Sequence, residues 1–274
     1  MSNKTNYYKH VFVVLTYRNT KDLVGFLDSL EKCVESYKVI IVNSFYDDKS
    51  RDEFENIAVK HGCDFINVPN KGYSSGNNRG IDYAKEKYEF DYLIISNPDI
   101  IVKKFLLPEE NQPAIYCGKI TTLSGKLQNP MHVVENKLSE YFVYKGMKKN
   151  NKFLFYSGIT ISKIFRTMFN LKIKISHRER FKIFAAHGSF FVFSRKAVEV
   201  IKPAFDEKMF LFSEEHVLAK RAKKQNIPIY YLKSVECIHK EDGSMNLWNG
   251  NINEELKKSV IYCYESYVLQ KKRG

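Results

Sequence analysis

Residues 91–99, Asp-Tyr-Leu-Ile-Ile-Ser-Asn-Pro-Asp, are the stretch that decides the fold class of this chain. The apolar run at 93–95 predicts a short buried strand. Pro98 ends that strand, because proline cannot donate a hydrogen bond to a sheet ladder. Asp99 is therefore expected at the carboxyl end of a strand, the edge at which open α/β sheets bind ligands. A carboxylate there can hold a hard divalent cation, which usually brings phosphate oxygens with it.

Similar apolar runs precede this strand at regular intervals. Four predicted strands start 26 or 27 residues apart, near Val11, Lys38, Asp64 and Asp91. This interval fits one strand plus a crossover helix, so parallel βαβ units are expected. The predicted helices between the strands are 20–36, 50–61 and 77–88. The fold class predicted for the chain is therefore α/β.

The chain beyond Pro108 has a less regular pattern. The segment 131–184 is the least regular part. Its stretch 153–175 mixes apolar and basic residues and predicts an amphipathic helix, packed either on the protein's own core or on a membrane. The other predicted elements are strands at 114–120, 188–194, 227–232 and 234–239, and helices at 195–201, 213–225 and 253–269.

Charge is distributed unevenly along the 274 residues, whose net charge is +13. Residues 1–100 are slightly acidic, whereas 137–182 holds twelve Lys or Arg and only two acids. Such a patch attracts a polyanion: nucleic acid, an anionic membrane surface or a phosphorylated substrate. No apolar run is long enough for a membrane span, and the polar start predicts no signal peptide. The five scattered cysteines indicate reduced thiols in a cytosolic protein.

A loop rich in glycine and asparagine, residues 70–80, follows the third predicted strand. Gly72 and Gly76 let the backbone approach a ligand closely. The helix that begins there, together with Arg79, favours an anion. Glycines at a strand–helix turn are also common for purely structural reasons, and the loop alone does not decide between the two.

The order of several motifs is more specific than any one of them. The chain reads LTYRN (15–19), VNS with DDKS (42–50), the Asn/Gly loop, NPD (97–99), GSFF (188–191), FDEKMFLFSEE (205–215) and then His239 with Gly243-Ser244. This arrangement resembles the family 2 glycosyltransferases with a GT-A fold, especially the bacterial rhamnosyltransferase-like branch. The resemblance covers about residues 10–125 and 187–245. It implies a Rossmann-like, mostly parallel sheet flanked by helices, with 131–184 as a basic helical insertion.

The resemblance also implies roles for individual residues. Asp99, with His239 as a further ligand or phosphate contact, would hold Mg²⁺ or Mn²⁺. Glu215 would be the catalytic base, with Glu214 beside it. The residues implied to bind the nucleotide-sugar donor are Thr16, Tyr17, Arg18, Asn43, Gly72, Gly76, Asn77, Arg79 and Asn97. Asn43 stands where the family usually has an aspartate that binds the base, so the choice between UDP and dTDP is open.

The expected function is that of an inverting glycosyltransferase. It would move a sugar from a UDP- or dTDP-sugar to a hydroxyl of a lipid-linked glycan acceptor in bacterial surface polysaccharide assembly. We expect one domain over 1–274, with a nucleotide-sugar half (1–100), an acceptor half (101–250) and a C-terminal helix and tail (251–274). The expected location is the cytoplasm, with peripheral contact to an anionic membrane and no nucleic-acid partner. The alternatives are a catalytically inactive nucleotide-binding subunit and, less favoured, a nucleic-acid-binding protein.

Purely structural explanations also exist for the residues assigned to metal binding and catalysis. Asp99 after Asn-Pro could cap a turn, and a lone His239 at a strand end could be structural. Glu214 and Glu215 could simply be first-turn acids stabilised by a helix dipole.

Overall fold

The parallel βαβ units predicted for the first hundred residues are present in the computed structural model, which describes residues 6–109, 112–241 and 250–269. Their elements are β1 (Asn6–Thr16), α1 (Thr20–Cys33), β2 (Tyr37–Phe45), α2 (Asp48–Lys60), β3 (Asp64–Pro69), α3 (Tyr73–Lys87) and β4 (Tyr88–Ser96). The four strands pair in parallel in the order β3-β2-β1-β4. The strand order reverses at β1, so a ligand crevice is expected at the carboxyl ends of β1 and β4.

Strand β4 is buried on both faces, as its unbroken apolar run requires. Leu93 and Ile95 pack into a core layer with α3, α6 and α7, whereas Tyr92 and Ile94 point to the layer beneath α1 and α2. Leu93, Ile94 and Ile95 have no exposed surface. The strand that leads to Asp99 is therefore held by packing from both sides.

The second half of the chain completes a mixed sheet. Its elements are β5 (Ile100–Phe105), β6 (Ile115–Thr122), α4 (Lys137–Lys148), α5 (Lys152–Ile175), β7 (Arg180–Ile183), β8 (Phe190–Ser194), α6 (Arg195–Val200), α7 (Glu214–Lys224), β9 (Ile229–His239), α8 (Ile252–Tyr264) and a π-helical turn (Glu265–Leu269). The sheet order is β3-β2-β1-β4-β8-β6-β9-β5, with β7 beside β9. β8 is antiparallel to both of its neighbours, and β6 and β9 are parallel to each other. The predicted α/β class, with helices on both faces of the sheet, is confirmed.

Several predicted boundaries were wrong. The two strands expected at 227–232 and 234–239 are one strand, β9, whose register against β6 shifts after Gly118. A Cβ on Gly118 would lie 2.2 Å from the Val235 carbonyl oxygen, so the displaced strand fits only a glycine there. Helix α3 begins at Tyr73 rather than at residue 77, so the second part of the glycine-rich loop is helical. β5, α4 and β7 were not predicted.

The segment 131–184 contains two packed helices, α4 and α5. Gly146 and Gly158 allow their close contact, because a Cβ at either residue would collide with backbone of the other helix. The predicted amphipathic helix is therefore present as α5. Its inner face packs on the protein, and its outer face exposes large apolar side chains such as Phe153, Met168 and Ile175. Within the described ranges, no helix is both long and apolar enough to span a bilayer.

Candidate active site

A cavity of about 550 Å³ opens at the carboxyl ends of β1 and β4. The predicted site residues that line it are Thr16, Tyr17, Gly72, Asn97, Asp99, Glu214, Glu215 and His239. These residues come from five separate parts of the sequence. The fold thus brings residues predicted for nucleotide-sugar binding, metal binding and catalysis into one cavity.

Asp99 lies in the turn between β4 and β5, and only 3% of it is exposed. β5 pairs with the end of β9, which places Ile100 opposite His239. As a result, Asp99 Oδ2 lies 3.2 Å from His239 Nε2. The backbone N–H of Lys240 donates to the Asp99 carbonyl at 3.0 Å, and the Lys240 Nζ reaches Asp22 in α1 at 3.0 Å. The Asp99–His239 pair is therefore fixed by the sheet and by an ion pair behind it.

Gln128 determines which nitrogen of His239 faces the cavity. The Gln128 amide nitrogen donates to Glu241 Oε1 at 2.6 Å, so its oxygen is left to accept from His239 Nδ1 at 2.8 Å. With the proton on Nδ1, the Nε2 lone pair of a neutral imidazole points toward the Asp99 carboxylate. Two electron-pair donors that face each other at 3.2 Å require a proton or a cation between them.

The Asp99–His239 pair fits a divalent cation. One carboxylate oxygen and one imidazole nitrogen are ligands that Mn²⁺ accepts, and the carboxylate also suits Mg²⁺. Among the described residues, no cluster of three or more His, Cys, Asp or Glu side chains could hold a metal. A cation at this pair would therefore take its other ligands from a bound molecule or from water.

Glu214 and Glu215 form the first turn of α7 and line the same cavity. Glu214 is 6% exposed, and its Oε2 has no hydrogen-bond partner. Burial and the neighbouring Glu215 carboxylate raise the pKa of Glu214 well above its usual range. Burial also raises the pKa of Glu215, which is partly exposed to the cavity. The pair thus combines a buried carboxyl that favours the protonated form with an accessible carboxylate of increased basicity.

The backbone before this pair is strained. Phe212 and Ser213 have φ values of 71° and 65°, both in the left-handed region. Non-glycine residues there cost about 1–3 kcal/mol each and tend to occur at functional sites. This backbone conformation directs the start of α7 so that its first two side chains, Glu214 and Glu215, line the cavity.

Gly72 joins the glycine-rich loop to the same wall. Its φ is 90°, and a Cβ there would lie 2.2 Å from the Phe210 carbonyl oxygen. That oxygen accepts from the backbone N–H of Tyr73 at 2.8 Å, and the Tyr73 hydroxyl donates to the Gly188 carbonyl at 2.7 Å. Gly72 is thus required for close contact between two loops of the protein.

Other predicted donor-binding residues do not line the cavity: Arg18, Asn43, Gly76, Asn77 and Arg79. The amide nitrogen of Asn43 donates to Asn67 on β3 at 2.7 Å. A Cβ on Gly76 would meet Leu15, and Asn77 donates to the Tyr73 carbonyl. Arg79 points away and pairs with Glu207 at 3.1 Å. Their roles in donor binding remain predictions.

Arg18 belongs to an aromatic cluster just outside the cavity. Its guanidinium lies 4.0 Å from the centre of the Tyr46 ring, and the Tyr17 and Tyr46 rings are 5.7 Å apart. Tyr17 connects this cluster to the cavity.

Sequence reasoning missed several lining residues, among them Gln128, Met131, His187 and Phe210. Gln128 and Met131 follow β6 in a segment with no recognisable motif. His187 immediately precedes GSFF, and that position was the available signal. The predicted Gly243-Ser244 motif lies outside the described residues.

Comparison with known proteins finds distant sequence relatives of this chain. No family model matches the chain. The chain is 29% identical to the rhamnosyltransferase WbbL of Escherichia coli K12 over 103 residues, which is 34% of this chain and 36% of the relative. It is 23% identical to the low-salt glycan biosynthesis hexosyltransferase Agl10 of Haloferax volcanii over 236 residues, which is 84% of this chain and 66% of the relative. The matches thus span 36% and 66% of these relatives' lengths.

Solved structures decide the fold. GalNAc-T7, crystallised with UDP, GalNAc and Mn²⁺, superposes with a TM-score of 0.64 at 10% identity, covering 97% of this chain and 50% of that one. The chain has the glycosyltransferase GT-A fold. Residues 1–349 of TarS from S. aureus share this GT-A fold with a TM-score of 0.52 at 12% identity, covering 97% of this chain and 73% of that one. The resemblance inferred from the motifs is confirmed for the GT-A fold and for distant relatives.

Proposed function

We propose that this chain is a metal-dependent, inverting glycosyltransferase that moves a sugar from a UDP- or dTDP-sugar to a hydroxyl of a glycan acceptor. The observation that carries the proposal is one cavity lined both by the Asp99–His239 pair and by Glu215. A cation site and an accessible carboxylate are the two groups that this reaction needs. The GT-A fold adds support from the overall architecture.

Asp99 and His239 would hold Mg²⁺ or Mn²⁺, which when bound neutralises the charge of a diphosphate leaving group. Glu215 would take the proton of the acceptor hydroxyl while the hydroxyl oxygen forms a bond to the anomeric carbon of the sugar. The bond from that carbon to the nucleoside diphosphate breaks in the same step, so direct displacement inverts the centre. The raised pKa of Glu215 suits this role, because a more basic carboxylate removes a proton more readily. The raised pKa of Glu214 favours its neutral form, which would leave the negative charge of the pair on Glu215.

The nature of the two substrates is proposed by analogy. The solved relative GalNAc-T7 was crystallised with UDP and Mn²⁺, which supports a pyrimidine nucleotide donor. One sequence relative is a rhamnosyltransferase and another a hexosyltransferase of glycan biosynthesis, which supports rhamnosyl or hexosyl transfer in surface polysaccharide assembly. Thr16 and Tyr17 at the end of β1 would line the nucleotide part of the cavity. A lipid-linked acceptor is proposed from the resemblance of the motifs to the rhamnosyltransferase-like branch.

The test pairs donor binding with turnover. UDP-, dTDP- and GDP-sugars with and without Mn²⁺ are screened by thermal shift, since a ligand of the native state raises its apparent stability. Release of the nucleoside diphosphate then measures turnover. Glu215→Gln should lower the rate about 10²–10⁴-fold while the donor shift is kept. Glu55→Gln, on the exposed surface of α2, is the matched control.

Three results would speak against parts of this function. An unchanged rate in folded Glu215→Gln removes the base assignment. A wild-type protein that binds a sugar nucleotide but releases no diphosphate would be the inactive binding subunit. If no sugar nucleotide shifts the melting temperature, the donor class is wrong.

We also propose peripheral contact with an anionic membrane through α5. Its outer face combines exposed apolar side chains with exposed lysines, and the single acid of α4 and α5, Glu140, is buried in ion pairs. Lys148 is unsuited to a test, because it pairs with Glu265 at 2.6 Å. The lysines to change to glutamine are Lys163, Lys172 and Lys174.

Each lysine near an anionic surface contributes about 1 kcal/mol, so the triple variant should bind vesicles about 100-fold more weakly. The assay is co-sedimentation with 70:30 phosphatidylcholine:phosphatidylglycerol vesicles. A control replaces three exposed lysines of the first half, Lys21, Lys49 and Lys60. Equal binding of wild type and both variants would remove the proposal.

A further inference from the structure

A second cavity, of about 290 Å³, lies between α4, α5, α7 and α8. Most of its wall is apolar, with Val143 from α4, Phe155 and Ile159 from α5, and Leu256 and Val260 from α8 among the lining side chains. Of the motifs quoted from the sequence, only FDEKMFLFSEE contributes to its wall, through Phe212, Ser213 and Glu215. Its composition suits an aliphatic ligand, because apolar surface removed from water is the main source of affinity in such sites.

The two cavities share a wall. Met131, Phe212 and Glu215 line both of them. The carboxylate proposed as the base is thus accessible from the second cavity as well as from the one that contains Asp99. A molecule in the second cavity could present a hydroxyl to Glu215, while the Asp99–His239 pair lines only the first cavity.

Several polar side chains that line the second cavity already have partners within the protein. Glu140 accepts from Lys220 at 2.9 Å and from His216 at 3.2 Å. Ser139 donates to the Gly158 carbonyl at 2.7 Å. Burial lowers the pKa of His132 to about 3, so its ring is uncharged at neutral pH. The polar groups therefore require no charged ligand, and the remaining surface favours an apolar one.

The cavity reaches the surface beside the exposed face of α5. Ile159 lines the cavity and is 43% exposed, and the exposed rings of Phe153 and Tyr156 lie on the turn before it. An apolar path thus leads from the outer face of α5 to Glu215. A water-soluble sugar acceptor would have no use for such a path.

We infer that the second cavity binds the aliphatic chain of an amphiphilic acceptor and so holds the acceptor's hydroxyl at Glu215. This inference rests on the proposed glycosyl transfer, and it specifies which surface selects the acceptor. The donor occupies the cavity with Asp99, the acceptor chain occupies the cavity between the helices, and the reaction takes place at their common wall.

The test measures binding of n-alkyl maltosides with eight, ten and twelve carbons to the full chain by calorimetry, each below its critical micelle concentration. Affinity should increase about fourfold for each added methylene that enters the cavity. Val260→Trp, which fills the cavity, and Ile159→Lys, which places a charge at its mouth, should each weaken dodecyl maltoside binding at least tenfold. Val200→Trp, an exposed position on α6, is the matched control and should bind as wild type does.

The outcomes separate the two proposals. Affinity that does not depend on chain length in the wild type overturns the inference, as does unchanged binding in Ile159→Lys. Ile159→Lys decides the matter if Val260→Trp fails to fold, because residue 159 is half-exposed. The thermal shift produced by UDP or by dTDP, each with Mn²⁺, is measured on the same samples. If that shift is kept while chain length has no effect, only the cavity inference fails, whereas its absence in the wild type counts against the proposed donor class.

Discussion

Replacement of Gly72 by alanine should separate the two loops that form one wall of the candidate active site. The φ and ψ of Gly72, 90° and 178°, lie in a region that is essentially restricted to glycine, and alanine there costs about 1–3 kcal/mol. The new methyl group would lie 2.2 Å from the Phe210 carbonyl oxygen, so the loops must move apart. The Tyr73–Phe210 hydrogen bond would then be lost, at about 1 kcal/mol. Alanine also restricts the unfolded chain, which offsets about 0.4–1 kcal/mol.

The net loss expected for Gly72→Ala is about 1–3.6 kcal/mol of unfolding free energy. Gly125→Ala is the matched control, since Gly125 also has a positive φ, 81°, but a methyl group there would meet no other atom within 4 Å. It should lose about 1 kcal/mol or less, because only the backbone strain remains. Urea unfolding followed by far-UV circular dichroism measures both. Equal losses in the two variants would refute the argument that the contact with Phe210 requires glycine.

Two further predictions concern charge and metal affinity. Folding raises the pKa of Glu214, so the wild type loses stability as pH rises from the unfolded-state pKa through the folded-state pKa. Glu214→Gln should therefore be more stable than the wild type in urea, by a margin that grows between pH 5 and pH 9. A margin that does not change with pH would contradict this. Gln128→Ala removes the group that orients His239, and loss of such a partner should weaken Mn²⁺ binding about 10–100-fold by calorimetry. Gln225→Ala, at the end of α7, is its control, and equal Mn²⁺ affinity in the two variants would show that Gln128 does not orient the ligand.

The sequence predicted the parallel half of the sheet well because each strand is a short run buried on both faces, and the crossover helices repeat at a constant interval. It did not predict β5, since Asn97-Pro98-Asp99 was interpreted as the end of a strand rather than as a turn between two. The register shift of β9 was missed for a related reason. It depends on the contact of Gly118 with Val235, and those residues are far apart in the sequence.

The candidate site shows the same division. Asp99, Glu215 and His239 were predicted to belong together, and they do line one cavity. Asn43 and Arg79 come from equally suggestive stretches, but they do not line this cavity, and their side chains contact Asn67 and Glu207. A position near the end of a strand predicts where the backbone lies. It does not predict which neighbouring residue the side chain contacts.

The wall made by Met131, Phe212 and Glu215 lines both cavities, so a substitution in this wall changes the size of both. A bulkier residue in this partition narrows the space on both sides, and a smaller one merges them. A substitution in this wall that changes the preference for one substrate would then also change the binding of the other substrate. Changes at this partition should therefore occur in compensating sets.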